Sequence, residues 1–191
     1  MENKKNKKII IFASGNGTNA EEIIKHFEKK DEINVQLVLT NNNTAGVLKR
    51  VENHKIPAIS FNKDVYKQNL VLEILNLLNP DLIVLAGFIW KIPNSIISQF
   101  PEKIINIHPA LLPKHGGKGM YGEAVHESVI RSSDSETGIT IHYVNQNYDE
   151  GRIIFQKSIN VRVMDSIKNI SMRVQRLEHK YYPIIIEKLL N

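Results

Sequence analysis

Short apolar runs alternate with stretches in which apolar positions recur every three or four residues, and the alternation continues through most of the chain. Residues 8–13 form a run that fits one buried strand, cut off by Ser14-Gly15-Asn16-Gly17. Residues 20–30 then carry Ile23, Ile24 and Phe27 on one helical stripe. The same reading predicts strands over 35–40, 58–61, 82–86 and 104–107, and helices over 44–53, 65–78 and 93–100. The helix over 65–78 is expected to turn Leu70, Ile74, Leu77 and Leu78 to the core, and Pro80-Asp81 closes it. Pro93 suits the first turn of the helix it opens.

The last third reads differently. Residues 112–122 carry four glycines and a proline and predict a loop, and a helix follows over 123–131. Two β-branched runs, 137–144 and 153–161, are joined by a polar loop over 145–151. A final helix runs from about residue 166 to 190, with Pro183 expected to bend or interrupt it. Strand–helix alternation predicts βαβ units and a parallel sheet, and the two late strands predict a mixed or antiparallel end to it. The expected fold class is α/β: a single Rossmann-like domain, its sheet mostly parallel with an antiparallel C-terminal part and helices on both faces. No internal repeat or low-complexity linker divides the chain. The expected organisation is a basic, flexible start over 1–7 and one domain over 8–191.

Composition narrows the classes. With 42 % hydrophobic and 24 % charged residues in 191, the chain reads as an ordinary soluble domain long enough to bury a core. It has no cysteine, which removes disulfides, thiolate metal sites and a Cys nucleophile. No run approaches the ~20 apolar residues of a membrane span. The apolar stretch after the basic start, Ile9 to Ala13, is too short for a signal peptide, so a cytoplasmic location is expected. The net charge of +5 is open to two readings: a general lysine bias with a basic start, or an anionic ligand. No basic run is interleaved with aromatics, so no nucleic-acid partner and no membrane partner are expected.

Three segments carry candidate chemistry. Ser14-Gly15-Asn16-Gly17-Thr18-Asn19 joins the first strand to the first helix. Glycines permit a tight turn there, and the free amides of a helix start favour an anion. Thr18 or Asn19 is expected to cap the helix, and a plain strand-to-helix turn is the alternative. The segment lacks the G-x-G-x-x-G spacing, and Asn41-Asn42-Asn43 stands where a dinucleotide fold puts a ribose-binding acid. Nor does a Gly-Lys-Ser/Thr follow, so a single phosphate fits better than a dinucleotide or a nucleoside triphosphate.

Asn106-Ile107-His108-Pro109 ends a predicted strand, where open α/β sheets place their ligand crevice. Strand alternation puts Asn106 and His108 on one face. An Asn amide can donate to a developing oxyanion, and a His beside it can move a proton near neutral pH. One of the nearby X–Pro bonds is a candidate for cis. The alternative is a buried histidine satisfied by backbone. Tyr148-Asp149-Glu150-Gly151 lies in the loop between the late strands. A carboxylate from it could orient His108, or the segment could be a polar hairpin turn. No G-x-S-x-G elbow or H-E-x-x-H motif is present, and His142 and His179 stand alone in the sequence.

Together, G-N-G-T-N at 15–19, A-G-F at 86–88, N-I-H-P-A-L-L-P at 106–113, D-E-G at 149–151 and R-V-Q-R-L-E-H at 173–179 resemble the phosphoribosylglycinamide formyltransferase family, in order along nearly the whole chain. The resemblance implies formyl transfer from 10-formyltetrahydrofolate, as co-substrate, to the amine of N1-(5-phospho-D-ribosyl)glycinamide in purine synthesis, without a metal. It implies Asn106, His108 and Asp149 as the catalytic trio. Gly17, Thr18, Asn19, Gln175 and Glu178 would hold the ribonucleotide, Glu178 near its glycinamide end. Lys63, Ile89, Trp90, Lys91, Ile92, Asn106, Asn145 and Tyr148 would line the folate pocket. The implied halves are a phosphate-binding N-terminal one and a folate-binding, catalytic C-terminal one, in a monomer or homodimer.

Some positions depart from the family pattern. Trp90-Lys91 replaces the usual Met-Arg, which keeps the charge but loses the guanidinium fork. Arg152 follows D-E-G where proline is usual, and the loop G-G-K-G-M-Y-G at 116–122 is richer in glycine. The rival readings are a formyltetrahydrofolate hydrolase, a methionyl-tRNA or sugar-amine formyltransferase, which usually carry further domains, and a non-catalytic phosphate-ligand sensor.

Overall fold

A computed structural model describes residues 6–191. The expected basic start over 1–7 falls largely outside these residues, and Lys7 already pairs in the first strand. Seven strands form one sheet: β1 (Lys7–Phe12), β2 (Ile33–Thr40), β3 (Ala58–Ser60), β4 (Leu82–Leu85), β5 (Ile104–His108), β6 (Glu136–Tyr143) and β7 (Ile153–Asn160). Their order is β3-β2-β1-β4-β5-β6-β7. The first five strands pair in parallel, and β6 and β7 are antiparallel, so the mixed sheet expected from the sequence is present.

Among the described residues seven helices accompany the sheet: α1 (Thr18–Phe27), α2 (Gly46–Asn53), α3 (Lys63–Lys67), α4 (Leu70–Leu78), α5 (Asn94–Gln99), α6 (Glu123–Arg131) and α7 (Ile167–Leu190). Alternation along β1 divides the core in two. Ile9 and Ile11 pack with α1, α2 and α7, while Ile10 and Phe12 pack with α3, α4 and α5. All four are fully buried, each worth about 1.5–3 kcal/mol of transfer free energy. The buried Tyr182 of α7 donates its hydroxyl to the Leu85 carbonyl at 3.0 Å, fastening the long helix under β4.

Three expectations are corrected. The helix over 65–78 is two helices, because Asn69 adopts a left-handed φ of 62°, a conformation asparagine tolerates. Asn62 caps the first piece by accepting from the Asp64 and Val65 amides. The break rotates the second piece, so Val71 and Leu75 are buried while Leu77 is 85 % exposed. The N-cap of α1 is Gly17, not Thr18 or Asn19, and no side chain caps it. Of the two outcomes expected at Pro183, interruption does not occur: α7 runs through it from Ile167 to Leu190. Among the described residues no helix is long and apolar enough to cross a membrane.

Candidate active site

In the strand order, β1 and β4 are neighbours whose crossovers run in opposite directions, and the crevice of such a sheet opens at the carboxyl ends of its strands. The loops after these two strands are tied there. The Ser14 amide donates to the Gly87 carbonyl at 3.1 Å, and the Ile89 amide donates to Ser14 Oγ at 3.0 Å. A cleft of about 580 Å³ opens beside them, walled by the ends of β4 and β5, the 117–122 loop, the 145–149 loop and one face of α7.

Asn106 and His108 meet at the end of β5, as alternation requires. Asn106 pairs directly with His142 on β6, and His108 with Thr140. The His142 Nδ1–H donates to the Tyr143 carbonyl at 2.9 Å, which leaves Nε2 as an acceptor. Asn106 Nδ2 donates to that nitrogen at 3.2 Å, so His142 sets which way the Asn106 amide faces. His108 is 3 % exposed, and its Nε2–H donates to the His115 carbonyl at 2.8 Å. Its Nδ1 lies 3.6 Å from Asp149 Oδ2, at ion-pair rather than hydrogen-bond range. Burial pushes the His108 pKa below the usual imidazole range, and Asp149 offsets only part of that.

Asp149 is held between two histidines and the glycine-rich loop. Its other oxygen is 3.6 Å from His142 Nε2, and the Gly117 amide donates to Oδ2 at 2.9 Å. Burial raises this carboxyl, but the neighbouring histidines and the Gly117 amide together leave it below the ordinary range. The backbone that delivers it is demanding. Asp149 has φ 57°, and a side chain at Gly151 would collide with the Tyr143 carbonyl. A side chain at Gly116 would meet Leu112 at 2.5 Å and the Asp149 Cβ at 3.2 Å. Gly116 is therefore what lets this loop close on the carboxylate.

On the other side of the cleft, Gly17 takes φ 74° against Val47, where no Cβ would fit. Arg50 secures the loop from below, its Nε donating to the Asn16 carbonyl at 2.7 Å and its Nη1 to Glu21 at 2.5 Å. The first helical hydrogen bond runs from the Glu21 amide to the Gly17 carbonyl, so the amides before it precede the ladder. Gln175 Nε2 donates to Thr18 Oγ1 at 3.2 Å, and Asn19 Nδ2 donates to Glu178 Oε2 at 2.8 Å. Burial lifts the Glu178 carboxyl to about 7 against the opposing Asn19 bond. Asn19, Gln175 and Glu178 line the cleft, whereas Gly17 and Thr18 do not.

The third wall is aromatic. Ile89, Trp90, Lys91 and Ile92 face Asn145 and Tyr148 across the cleft. Trp90 belongs to a cluster with Phe61, Tyr66 and Phe88, and Tyr66 donates its hydroxyl to the Lys91 carbonyl at 3.2 Å. Lys91 Nζ stands 5.6 Å over the Tyr148 ring. Lys63 does not line the cleft; its Nζ is 5.8 Å from the Trp90 ring centre. Arg152 also lies elsewhere, bonded to Glu102 at 2.7 Å and stacked 4.4 Å over Tyr143. The cis bond is Leu112–Pro113.

Sequence reasoning missed His115, His126 and His142. His142 was readable in principle, because a strand pairing 106 with 142 puts the two side chains on one face. His126, 4 % exposed on α6, also lines the cleft, with its Nδ1 unpartnered.

Residues 7–186 match the family described as formyl transferase. The phosphoribosylglycinamide formyltransferase of Bacillus subtilis is 36 % identical over 190 residues, covering 96 % of this chain and 95 % of its own. The chloroplastic Arabidopsis thaliana protein of that name is also 36 % identical, and the chain spans 64 % of its length. The crystal structure of the Bacillus halodurans phosphoribosylglycinamide formyltransferase superposes with a TM-score of 0.89 at 34 % identity, covering 97 % of this chain and 96 % of that one. The chain belongs to the formyl transferase family and, within it, to the phosphoribosylglycinamide formyltransferases.

Proposed function

We propose that the protein transfers the formyl group of 10-formyltetrahydrofolate to the amine of N1-(5-phospho-D-ribosyl)glycinamide. The observation that carries this reading is the convergence of Asn106, His108 and Asp149 in one cleft, between a glycine-cornered loop at the start of α1 and an aromatic wall. The loop suits a phosphate, through the amides at the start of α1 and the helix dipole. Asn19, Gln175 and Glu178 suit the ribonucleotide beyond it. Ile89, Trp90, Lys91, Ile92, Asn145 and Tyr148 suit a flat, anionic donor by stacking and charge, with Lys63 in support behind Trp90.

The chemistry follows from the protonation pattern. Nε2 of His108 is committed to a carbonyl, so Nδ1 is the nitrogen that exchanges a proton in the cleft. Burial keeps it unprotonated near neutral pH. The amine attacks the formyl carbon and gives up a proton to Nδ1, directly or through water. The resulting imidazolium, steadied by Asp149, and the Asn106 amide then stabilise the tetrahedral oxyanion. The same proton goes to the folate nitrogen as it leaves, and the oxyanion collapses to the formamide. This path calls on no metal and no covalent enzyme intermediate.

The test mixes both substrates with the protein and follows folate absorbance, with a control lacking the ribonucleotide. Acceptor-dependent turnover is expected. Equal consumption without acceptor would make the protein a hydrolase instead, and binding without turnover would make it a sensor.

A further inference from the structure

His115 differs from the other histidines around the site because it acts through its backbone. It is not glycine, yet its φ is 57°, in the left-handed region. Its carbonyl is the acceptor for His108 Nε2–H. Its ring points away from the cleft and is held at both nitrogens. Nδ1 meets Ser128 Oγ of α6 at 2.9 Å, and Nε2–H donates to Asp134 Oδ2 at 2.7 Å. Asp134 is braced in turn by Lys114 Nζ at 2.9 Å. Neither His115, Ser128 nor Asp134 lines the cleft.

Left to itself, a residue with a Cβ leaves this backbone region. The ring clamp to α6 and to the turn before β6 holds it there. We infer that His115 is a positioning residue: its clamped ring fixes a left-handed backbone whose carbonyl sets the tautomer of His108 and leaves Nδ1 facing Asp149 and the cleft. A carbonyl can only accept, so as long as it stays in place a neutral His108 carries its proton on Nε2. This rests on the reading of His108 as the group that moves the proton.

The groups facing His108 are Asp149 and His142 from the 145–149 loop and β6, His126 from α6, and His115 itself. Removing the clamp changes only the last of these. His115→Asn is the informative variant, because asparagine tolerates a left-handed backbone but cannot span Ser128 and Asp134 together. Ser128→Ala weakens the clamp from the far end and serves if the first variant unfolds.

The first readout is the nitrogen NMR signature of His108 in the uniformly labelled native protein without substrate. It should show the Nε2–H tautomer when neutral, and a mixture with Nδ1–H in His115→Asn. This arm involves no catalysis, so it stands or falls independently of the proposed reaction. The second readout is turnover. kcat should fall roughly tenfold or more, as when a buried partner that sets a catalytic tautomer is lost, with KM for the ribonucleotide little changed. The acid limb of the kcat profile should also move to lower pH, because a bond that favours the protonated ring has gone. A native His108 carrying its proton on Nδ1 would overturn the inference. So would a variant with the native tautomer and acid limb, or one altered in KM alone.

Discussion

At the scale of single residues, roles divide by which state of the reaction each side chain can touch. In the proposed reaction Asn106 and His108 face charge that exists only in the transition state. Asn106→Ala and His108→Ala should therefore each lower kcat roughly a hundred- to a thousandfold with KM nearly unchanged, by steady-state kinetics. Asp149→Asn keeps the Gly117 contact but loses the charge beside His108, and its kcat should fall as well; full activity would remove Asp149 from the proposal. Glu178 is a different case, because its carboxyl is lifted to about 7 by burial. Folding holds this proton more tightly than the unfolded chain does. Its contribution is thus complete below the ordinary carboxylate range and is lost as pH rises through about 7. Glu178→Gln should raise Tm over the parent at about pH 8 and give no gain at about pH 4. Much at this scale was legible. The trio and the cleft-lining Asn19, Gln175 and Glu178 stand in recognisable strings. His115 was not, because its contribution is a carbonyl and a φ angle, which no residue type announces.

Elements decide whether those side chains arrive. The start of α1 depends on Gly17, whose Cβ would enter Val47 and whose φ is 74°. Gly17→Ala should lower Tm, and binding of inorganic phosphate should weaken with it if the loop holds the substrate phosphate; unchanged binding by calorimetry would detach the loop from that role. Strands were read well from apolar runs, since a strand buried on both faces leaves few alternatives. The helix over 65–78 was read as one because its apolar spacing is continuous. The break at Asn69 turns on a backbone conformation, so periodicity carried across it and assigned Leu77 to the core. Pro183 was expected to bend or interrupt the last helix, because proline removes a donor and crowds the preceding turn, and α7 runs through it without interruption.

For the whole molecule, acid is the expected weakness. Asp134, held down by hydrogen bonds from Lys114 and then His115, and Glu187, held down by Lys30 and then His26, both contribute stability above the ordinary carboxylate range and lose it as pH falls. His108 and His126, depressed by burial, add to the loss as pH drops through the ordinary imidazole range, because the unfolded chain takes up their protons first. Stability should therefore begin to fall below about pH 6.5 and fall further in the carboxylate range, as followed by chemical denaturation across pH. In the other direction, ribonucleotide at about a hundred times its Kd should add about 2.7 kcal/mol to a chain that binds it only when folded.

The sheet register has one more consequence, for how the length of this chain can vary. The pairings of 106 with 142 and of 108 with 140 enclose everything from 109 to 139 as a single excursion. Its entrance is pinned by the Leu112 amide and the Ala110 carbonyl on Thr140 Oγ1, and its middle by Gly117 on Asp149. Lys118, Met120 and Tyr121, further along, line the cleft, and Tyr121 is largely exposed. Residues inserted there would change what the cleft admits and leave the reacting groups aligned. One residue inserted within β6, by contrast, would bring an isoleucine or a tyrosine opposite Asn106 in place of His142. Changes of length that spare the strand register thus fall to this short stretch of loop, while the placing of Asn106 beside His142 hangs on the register itself.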